Sequence, residues 1–129
     1  MAKTKIPIEY QEKANSIITD FNRKTYKKNS GIEFYAVYKG DFLYLNRKEG
    51  KNEGPIARLK YTGKFAGWQF AIFKWSSERY DPDEMFFPGA NYLNGTIEGA
   101  LKAGHHAYPP SWSPSGSDLL NFFGKILGK

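Results

Sequence analysis

The sequence contains no cysteine, and this absence removes several functions at once. Without thiols the chain can form no disulfide, use no thiolate nucleophile and hold no metal through cysteine sulfur. Long apolar runs are missing too, since no stretch approaches the roughly 18 residues that a membrane-spanning helix needs. Residues 1–7 show no apolar leader segment. These absences lead us to expect a cytoplasmic protein without a transmembrane segment.

Histidine is scarce, and the two that occur, His105 and His106, are adjacent. Ligands on a helix usually meet one metal ion at spacings of three or four residues, so a neighbouring pair is a poor metal site. Asp81, Asp83 and Glu84 could add oxygen ligands or act as an acid/base pair, but their Asp-Pro-Asp-Glu setting is typical of a turn. We therefore expect neither a metal nor another cofactor.

Motifs for phosphate binding and for nucleophilic catalysis are also missing. Gly63 and Gly67 flank a predicted hairpin turn, whereas a phosphate-binding loop leads into a helix. No motif marks an activated serine or threonine. An enzyme is therefore the least favoured function class, and we nominate no catalytic residue.

Aromatic residues and positive charge are what the chain has in excess. Aromatics make up 17% of the 129 residues, and the net charge is +6. Residues 1–31 hold seven Lys/Arg against three Asp/Glu, residues 32–75 hold eight against four, and residues 76–108 hold two against five. A basic first part attracts polyanions, so nucleic acid is a candidate partner.

Four runs of β-branched and aromatic residues predict four strands, at Ile32–Tyr38, Phe42–Arg47, Pro55–Thr62 and Trp68–Trp75. The connections are short, so the simplest topology is an antiparallel meander. The segment after the fourth run reads as a polar turn, with a candidate short strand at Met85–Phe87.

Side-chain alternation assigns the strand residues to two faces. Leu43, Leu45 and Leu59 fall on the first face, and Ile56 falls on the second with the cations of its strand. The second face also gathers candidate ligand-binding residues, which are Tyr35, Tyr44, Arg58, Lys60, Phe73 and Trp75. Aromatic rings interleaved with cations are typical of sheets that bind single-stranded nucleic acid. The alternative is that the tail of the chain or a second subunit covers these aromatics as core.

Two helices are predicted on either side of these strands. Residues 7–28 carry one apolar stripe, formed by Tyr10, Ala14, Ile17, Ile18 and Phe21. A short second helix is predicted at Ile97–Ala103, capped by Asn94-Gly95-Thr96 and ended by Gly104.

The end of the sequence predicts a linker followed by a short helix. Residues 109–117 are rich in Pro and Ser, and residues 118–129 carry candidate partner-binding residues, which are Leu119, Leu120, Phe123, Ile126 and Leu127. Twelve residues are too few to hold a helix alone in water. The tail could dock on its own domain, on a partner or second copy, or on a membrane surface, and we predict that it covers part of the sheet.

Several strand motifs resemble a family of small bacterial proteins of unknown function. The matching pieces are Gly40–Arg47, the Ala-basic-apolar-basic-Tyr strand Ala57–Tyr61, the Trp-rich strand Trp68–Trp75, Arg79-Tyr80 and Ile97–Leu101. Asn46 stands where such proteins are expected to carry Glu. The resemblance implies the architecture and supplies no chemistry.

Together these patterns predict an α+β fold. An N-terminal helix packs on a four-stranded antiparallel meander, and a short second helix and an amphipathic tail helix follow. Residues 1–108 form the expected domain. The favoured function is a non-catalytic binding module for nucleic acid or another polyanion, which uses the basic and aromatic face of the sheet. The alternative is a protein-interaction or assembly domain, including a homodimer, that uses the tail or the sheet face.

Overall fold

The strands form one antiparallel sheet in which each strand pairs with the next along the chain. The computed structural model describes residues 4–110, and over this range the fold is α+β. The elements, in chain order, are α1 (Ile8–Thr25), β1 (Ile32–Lys39), β2 (Phe42–Glu49), β3 (Asn52–Lys60), β4 (Gln69–Lys74), β5 (Arg79–Asp81), a 3₁₀ turn (Ala90–Tyr92) and α2 (Ile97–Ala107). The predicted meander is confirmed, and so are its first four strands.

The prediction of four strands is wrong by one, because β5 continues the meander beyond β4. Its residues Arg79–Asp81 pair antiparallel with Ile72–Lys74. The turn between the two strands carries Glu78 at φ +52°, where the sequence offers none of the glycines that usually mark such a reversal. The candidate strand at Met85–Phe87 is not a strand, and Glu84 instead accepts a hydrogen bond from the backbone N–H of Phe86.

One face of the sheet, the inner face, packs against both helices. Its strand residues include Phe34, Leu43, Leu45, Leu59 and Ile72, and all of them are buried. The apolar stripe of α1 and the buried side of α2 close the same core. Each of these buried side chains removes apolar surface from water, which is the main favourable term in folding.

The register of β3 is irregular beside Leu45 and Asn46, where an extra residue interrupts the pairing with β2. Leu45 pairs with Ala57 and Asn46 pairs with Pro55, so Ile56 has no partner on β2. Because a bulge turns one side chain out of strict alternation, Ile56 enters the core and is only 5% exposed. The prediction that Ile56 shares a face with Arg58 and Lys60 is therefore wrong.

The side-chain amide of Asn22 in α1 forms hydrogen bonds with the edge strand β1. Asn22 Nδ2 donates to the carbonyl of Phe34 at 2.9 Å, and the backbone N–H of Phe34 donates to Asn22 Oδ1 at 2.8 Å. Because β1 is an edge strand, these backbone groups have no strand partner on that side. The amide satisfies both of them, and the Tyr38 hydroxyl of β1 adds hydrogen bonds to Gln11 O and Asn15 Oδ1 of α1.

Helix α2 begins as predicted but runs further. Thr96 caps its first turn by accepting a hydrogen bond from the backbone N–H of Gly99 at 3.0 Å. The prediction that Gly104 ends the helix is wrong, since the helix continues to Ala107. A Cβ added at Gly104 would lie 2.7 Å from Ile56 Cγ2, so this glycine lets the helix approach the bulge of β3. The helix ends before Pro109, which disfavours helical geometry in the residue it follows.

The predicted tail helix at residues 118–129, with all five of its candidate partner-binding residues, lies outside the described residues, as does most of the predicted linker. Within residues 4–110, no helix is long and apolar enough to cross a membrane.

Candidate functional site

The second face of the sheet, here called the outer face, carries five of the six predicted ligand-binding residues. Residues directly opposite each other in an antiparallel pair point to the same side. Tyr44 lies opposite Val37 and Arg58, and Lys60 lies opposite Phe42. Tyr35 of β1 and Phe73 of β4 belong to the same face by alternation along their strands. The strand register therefore brings these five residues onto one surface.

Trp75, the sixth predicted residue, lies just beyond the end of β4, where register no longer assigns a face. Its indole packs edge-on against Phe73, with 5.1 Å between the ring centroids. It also lies close to the backbone of β3, because a Cβ added at Gly54 would be 3.1 Å from the indole. Trp75 therefore contacts both an outer-face ring and the backbone of β3 opposite Arg47, and 40% of its surface remains exposed.

The aromatic rings of the outer face form one connected cluster. Tyr80 links its two ends, because its ring centroid lies 5.5 Å from that of Tyr44 on β2 and 5.1 Å from that of Phe73 on β4. The cluster extends to Phe42, whose centroid is 5.9 Å from that of Tyr44. The rings meet in tilted or edge-on geometry, the arrangements that aromatic pairs prefer.

Ala71 explains how rings from distant strands can meet. It lies opposite Arg58 and therefore on the outer face, yet it is only 3% exposed. Tyr44 and Tyr80 stand on β2 and β5, with β3 and β4 between them, so their rings must lie across the sheet. A small side chain at position 71 leaves room for them, and the rings bury Ala71 in return.

Arg58 lies at the centre of this cluster. Its guanidinium carbon is 4.4 Å from the ring centroid of Phe42 and 5.2 Å from that of Tyr80. Such cation–π contacts hold the side chain in place while they leave its charge unneutralised. Burial raises the pKa of the Tyr80 hydroxyl, and the charge of Arg58 acts in the opposite direction.

Tyr35 belongs to a different part of the outer face. Its hydroxyl donates to Glu53 Oε1 at 3.0 Å, and the Lys48 ammonium lies 5.4 Å from its ring centroid. Lys48 lies directly opposite both Glu33 and Glu53. Positive charge at this end of the face is therefore offset by neighbouring carboxylates.

The opposite end of the outer face has an excess of positive charge. Lys39 and Lys60 lie on either side of Phe42 in one row across β1, β2 and β3. Both lysines are exposed, and Arg58 lies over the ring of Phe42 from the next row. This basic end, defined by Lys39, Phe42, Arg58 and Lys60, places three cations around one aromatic ring.

Sequence reasoning missed three residues of this surface, namely Lys39, Phe42 and Tyr80. Tyr80 was missed because β5 was not predicted, although it lies within the Arg79-Tyr80 motif. Lys39 was missed because the sequence places it in the turn of the first hairpin, whereas Phe42 begins a predicted strand but was not chosen as a candidate residue. The short first hairpin predicts that Lys39 lies opposite Phe42, and this pairing would have placed both residues on the same face.

The remaining candidate residues take part in ordinary packing and ion pairs. His105 Nδ1 lies 3.0 Å from the Tyr26 hydroxyl, and the ring of His106 stacks on Tyr92. Lys74 lies 2.9 Å from Glu84 Oε1, and this contact, with the backbone N–H of Phe86, holds the pKa of the Glu84 carboxyl below its usual value. Within the described part of the chain, no three His, Cys, Asp or Glu residues come together as metal ligands would.

No family model, curated protein or solved structure matches the chain. The resemblance to a bacterial family thus stays a prediction, and a function has to be argued from the geometry of the outer face.

Proposed function

We propose that the protein is a non-catalytic binding module that holds single-stranded nucleic acid, or a similar polyanion, on the outer face of its sheet. The observation that supports this proposal is the basic end, where Lys39 and Lys60 lie on either side of Phe42. Cations spaced along a strand of phosphates supply affinity, and an aromatic ring between them can stack on a base. A cytoplasmic location, expected from the cysteine-free composition, is part of the proposal.

Within residues 4–110, no α-helix covers this surface. Helices α1 and α2 both pack on the inner face, and the remaining helical element of these residues is the 3₁₀ turn at Ala90–Tyr92. Arg58 is already held by two rings, so binding a phosphate costs little additional side-chain entropy. The rings near Arg58 also exclude water, which strengthens its attraction for an anion.

A fluorescence-anisotropy titration with a labelled single-stranded oligonucleotide tests the proposal. The double variant Lys39→Ala/Lys60→Ala removes two exposed cations from the basic end. The matched control, Lys24→Ala/Lys28→Ala, removes the same charge from exposed positions at and just beyond the end of α1. If both lysines contact phosphates, the first variant makes the negative slope of log K against log salt shallower by about 1.4, since each contact to a single strand contributes about −0.7.

Two results would contradict the proposal. The wild type could show no binding at low salt, which would remove nucleic acid as the ligand. Alternatively, the two double variants could weaken binding equally. Binding would then depend on the net charge of the protein and not on the basic end.

A protein-interaction module is the second candidate, and one exposed loop favours it. Phe86 is 96% exposed and Met85 is 54% exposed, side by side in the segment after β5. Adjacent exposed apolar side chains on a structured loop are typical of contact sites for another protein. The expectation that the tail residues dock on the sheet or on a partner also stays a prediction.

Light scattering at increasing protein concentration separates this candidate from the first. If the partner is a second copy of the chain, the average mass should rise with protein concentration, and Phe86→Ser should abolish this rise. A constant monomer mass for the wild type would exclude self-association as the role of the loop.

A further inference from the structure

Arg47 carries a buried charge that the aromatic surface does not use. It lies on β2 opposite Phe34 and Gly54, and its residue surface is only 4% exposed. Two of its guanidinium nitrogens, Nε and Nη1, are buried and have no hydrogen-bond partner among residues 4–110. An ionised group in this state is strongly disfavoured unless something compensates it.

The groups around Arg47 compensate it only in part. Nη2 lies 3.8 Å from Glu49 Oε1, which is an ion pair beyond hydrogen-bond distance. Its guanidinium carbon is 5.5 Å from the ring centroid of Phe34. Burial raises the pKa of the nearby Tyr26 hydroxyl to about 12, although the charge of Arg47 and a hydrogen bond from its side chain act in the opposite direction, so this hydroxyl is uncharged at neutral pH. Glu49 thus offers charge without satisfying the N–H groups of Nε and Nη1.

Arg47 lines a cleft of about 220 Å³. Glu49 and Glu53 line it as well, and Ile56 and Trp75 contribute apolar wall. The cleft is smaller than the pockets that hold drug-sized ligands, so it fits a small molecule or one chemical group.

The lining selects the chemistry of the occupant. The fork of guanidinium N–H groups suits a planar anion such as a carboxylate, and it also suits a phosphate. Glu49 and Glu53 line the same cleft, and two carboxylates repel a doubly charged phosphate more than a singly charged acid. An apolar body on the ligand would bury surface against Ile56 and Trp75.

We propose that this cleft binds a small organic carboxylate, whose oxygens accept hydrogen bonds from Arg47 and whose apolar body lies against Ile56 and Trp75. The proposal is independent of nucleic-acid binding, because none of the four residues of the basic end lines the cleft.

The test uses three probes in ¹⁵N NMR titrations of the full chain: benzoate, benzamide and inorganic phosphate. Benzamide matches benzoate in shape but carries no charge. We expect benzoate to shift the Arg47 Nε–H and Trp75 indole N–H resonances along one saturable curve, and the other two probes to bind at least tenfold more weakly. Trp75→Phe identifies the indole resonance. Arg47→Met should weaken benzoate binding at least tenfold, and its own amide spectrum reports whether it folds.

Several outcomes would overturn the assignment. Benzoate could leave the Arg47 Nε–H resonance of the wild-type protein unshifted, a result that requires no variant. Benzamide could bind as tightly as benzoate, which would make the cleft merely apolar. Phosphate could bind as tightly as benzoate, which would replace the carboxylate with a different class of anion.

Discussion

The inner and outer faces of the sheet are both rich in apolar residues, but they are covered in different ways. On β2, neighbouring residues show the contrast: Leu45 points into the core and is fully buried, whereas Tyr44 points outward and is half-buried. Two helices cover the inner face, while the rings of the outer face are covered mainly by one another and by Arg58. A high aromatic content on a strand therefore does not by itself identify a core.

The comparison also shows why the outer face can combine stability with binding. Rings that pack edge-on across the strands bury Ala71 and remain partly accessible. Such a surface needs no helix to hold it in shape. It can therefore be preorganised before a ligand arrives, which reduces the entropic cost of binding.

The largest expected effect is on the inner face. Leu45→Ala leaves a cavity between the sheet and the helices, and we expect a loss of about 2–5 kcal/mol in the free energy of unfolding. Urea denaturation followed by circular dichroism measures it. A loss below about 1 kcal/mol would mean that the inner face is less tightly packed than its burial indicates.

The next effect concerns the contact between α2 and the bulge of β3. Gly104→Ala places a methyl group 2.7 Å from Ile56 Cγ2. Overpacking costs about 1–3 kcal/mol and the better helix propensity of alanine returns about 1 kcal/mol, so a net loss of about 0–2 kcal/mol is expected. In an Ile56→Ala background the same change should cost less, because the opposing methyl group is gone. Equal losses in both backgrounds would contradict the assigned contact.

On the outer face, Tyr80→Ala should cost about 1 kcal/mol, since its ring contacts are only half-buried. Phe86→Ala is the matched control, and because Phe86 is 96% exposed, thermal melting should be unchanged. If Tyr80→Ala were as harmful as Leu45→Ala, the outer face would be a second core, and the case for a binding surface would weaken.

The smallest effect is a pH dependence at the edge of the inner face. Burial, followed by the charges of Arg47 and His106, lowers the pKa of His105 below its usual value of about 6.5. Between the two pKa values the unfolded chain binds more protons than the native one, so stability rises with pH there and falls on acidification. His105→Asn should flatten this part of the plot of melting temperature against pH relative to the wild type, and His106→Asn should flatten it less, because its charge is the smallest of the three causes. Identical profiles for all three proteins would contradict a depressed pKa at His105.

The helix and strand positions were predictable because they depend on local pattern. The stripe of α1 has the helical period, and the four long strands are bounded by turn residues. Alternation correctly placed Tyr35, Tyr44, Arg58, Lys60 and Phe73 on one face. It failed at Ile56, where a bulge adds one residue, although Gly54 and Pro55 directly before it are residue types that often mark a bulge within a strand.

The sequence by itself thus determined the fold class, the first four strands and the side of the sheet on which most candidate residues lie. Only the tertiary structure decided that β5 exists, that Tyr80 reaches across Ala71, and that Gly104 lies within a helix facing Ile56. It also decided that Arg47 is buried and lines a cleft. Period and turn chemistry are properties of neighbouring residues, whereas burial and cross-strand contacts depend on segments far apart in the chain.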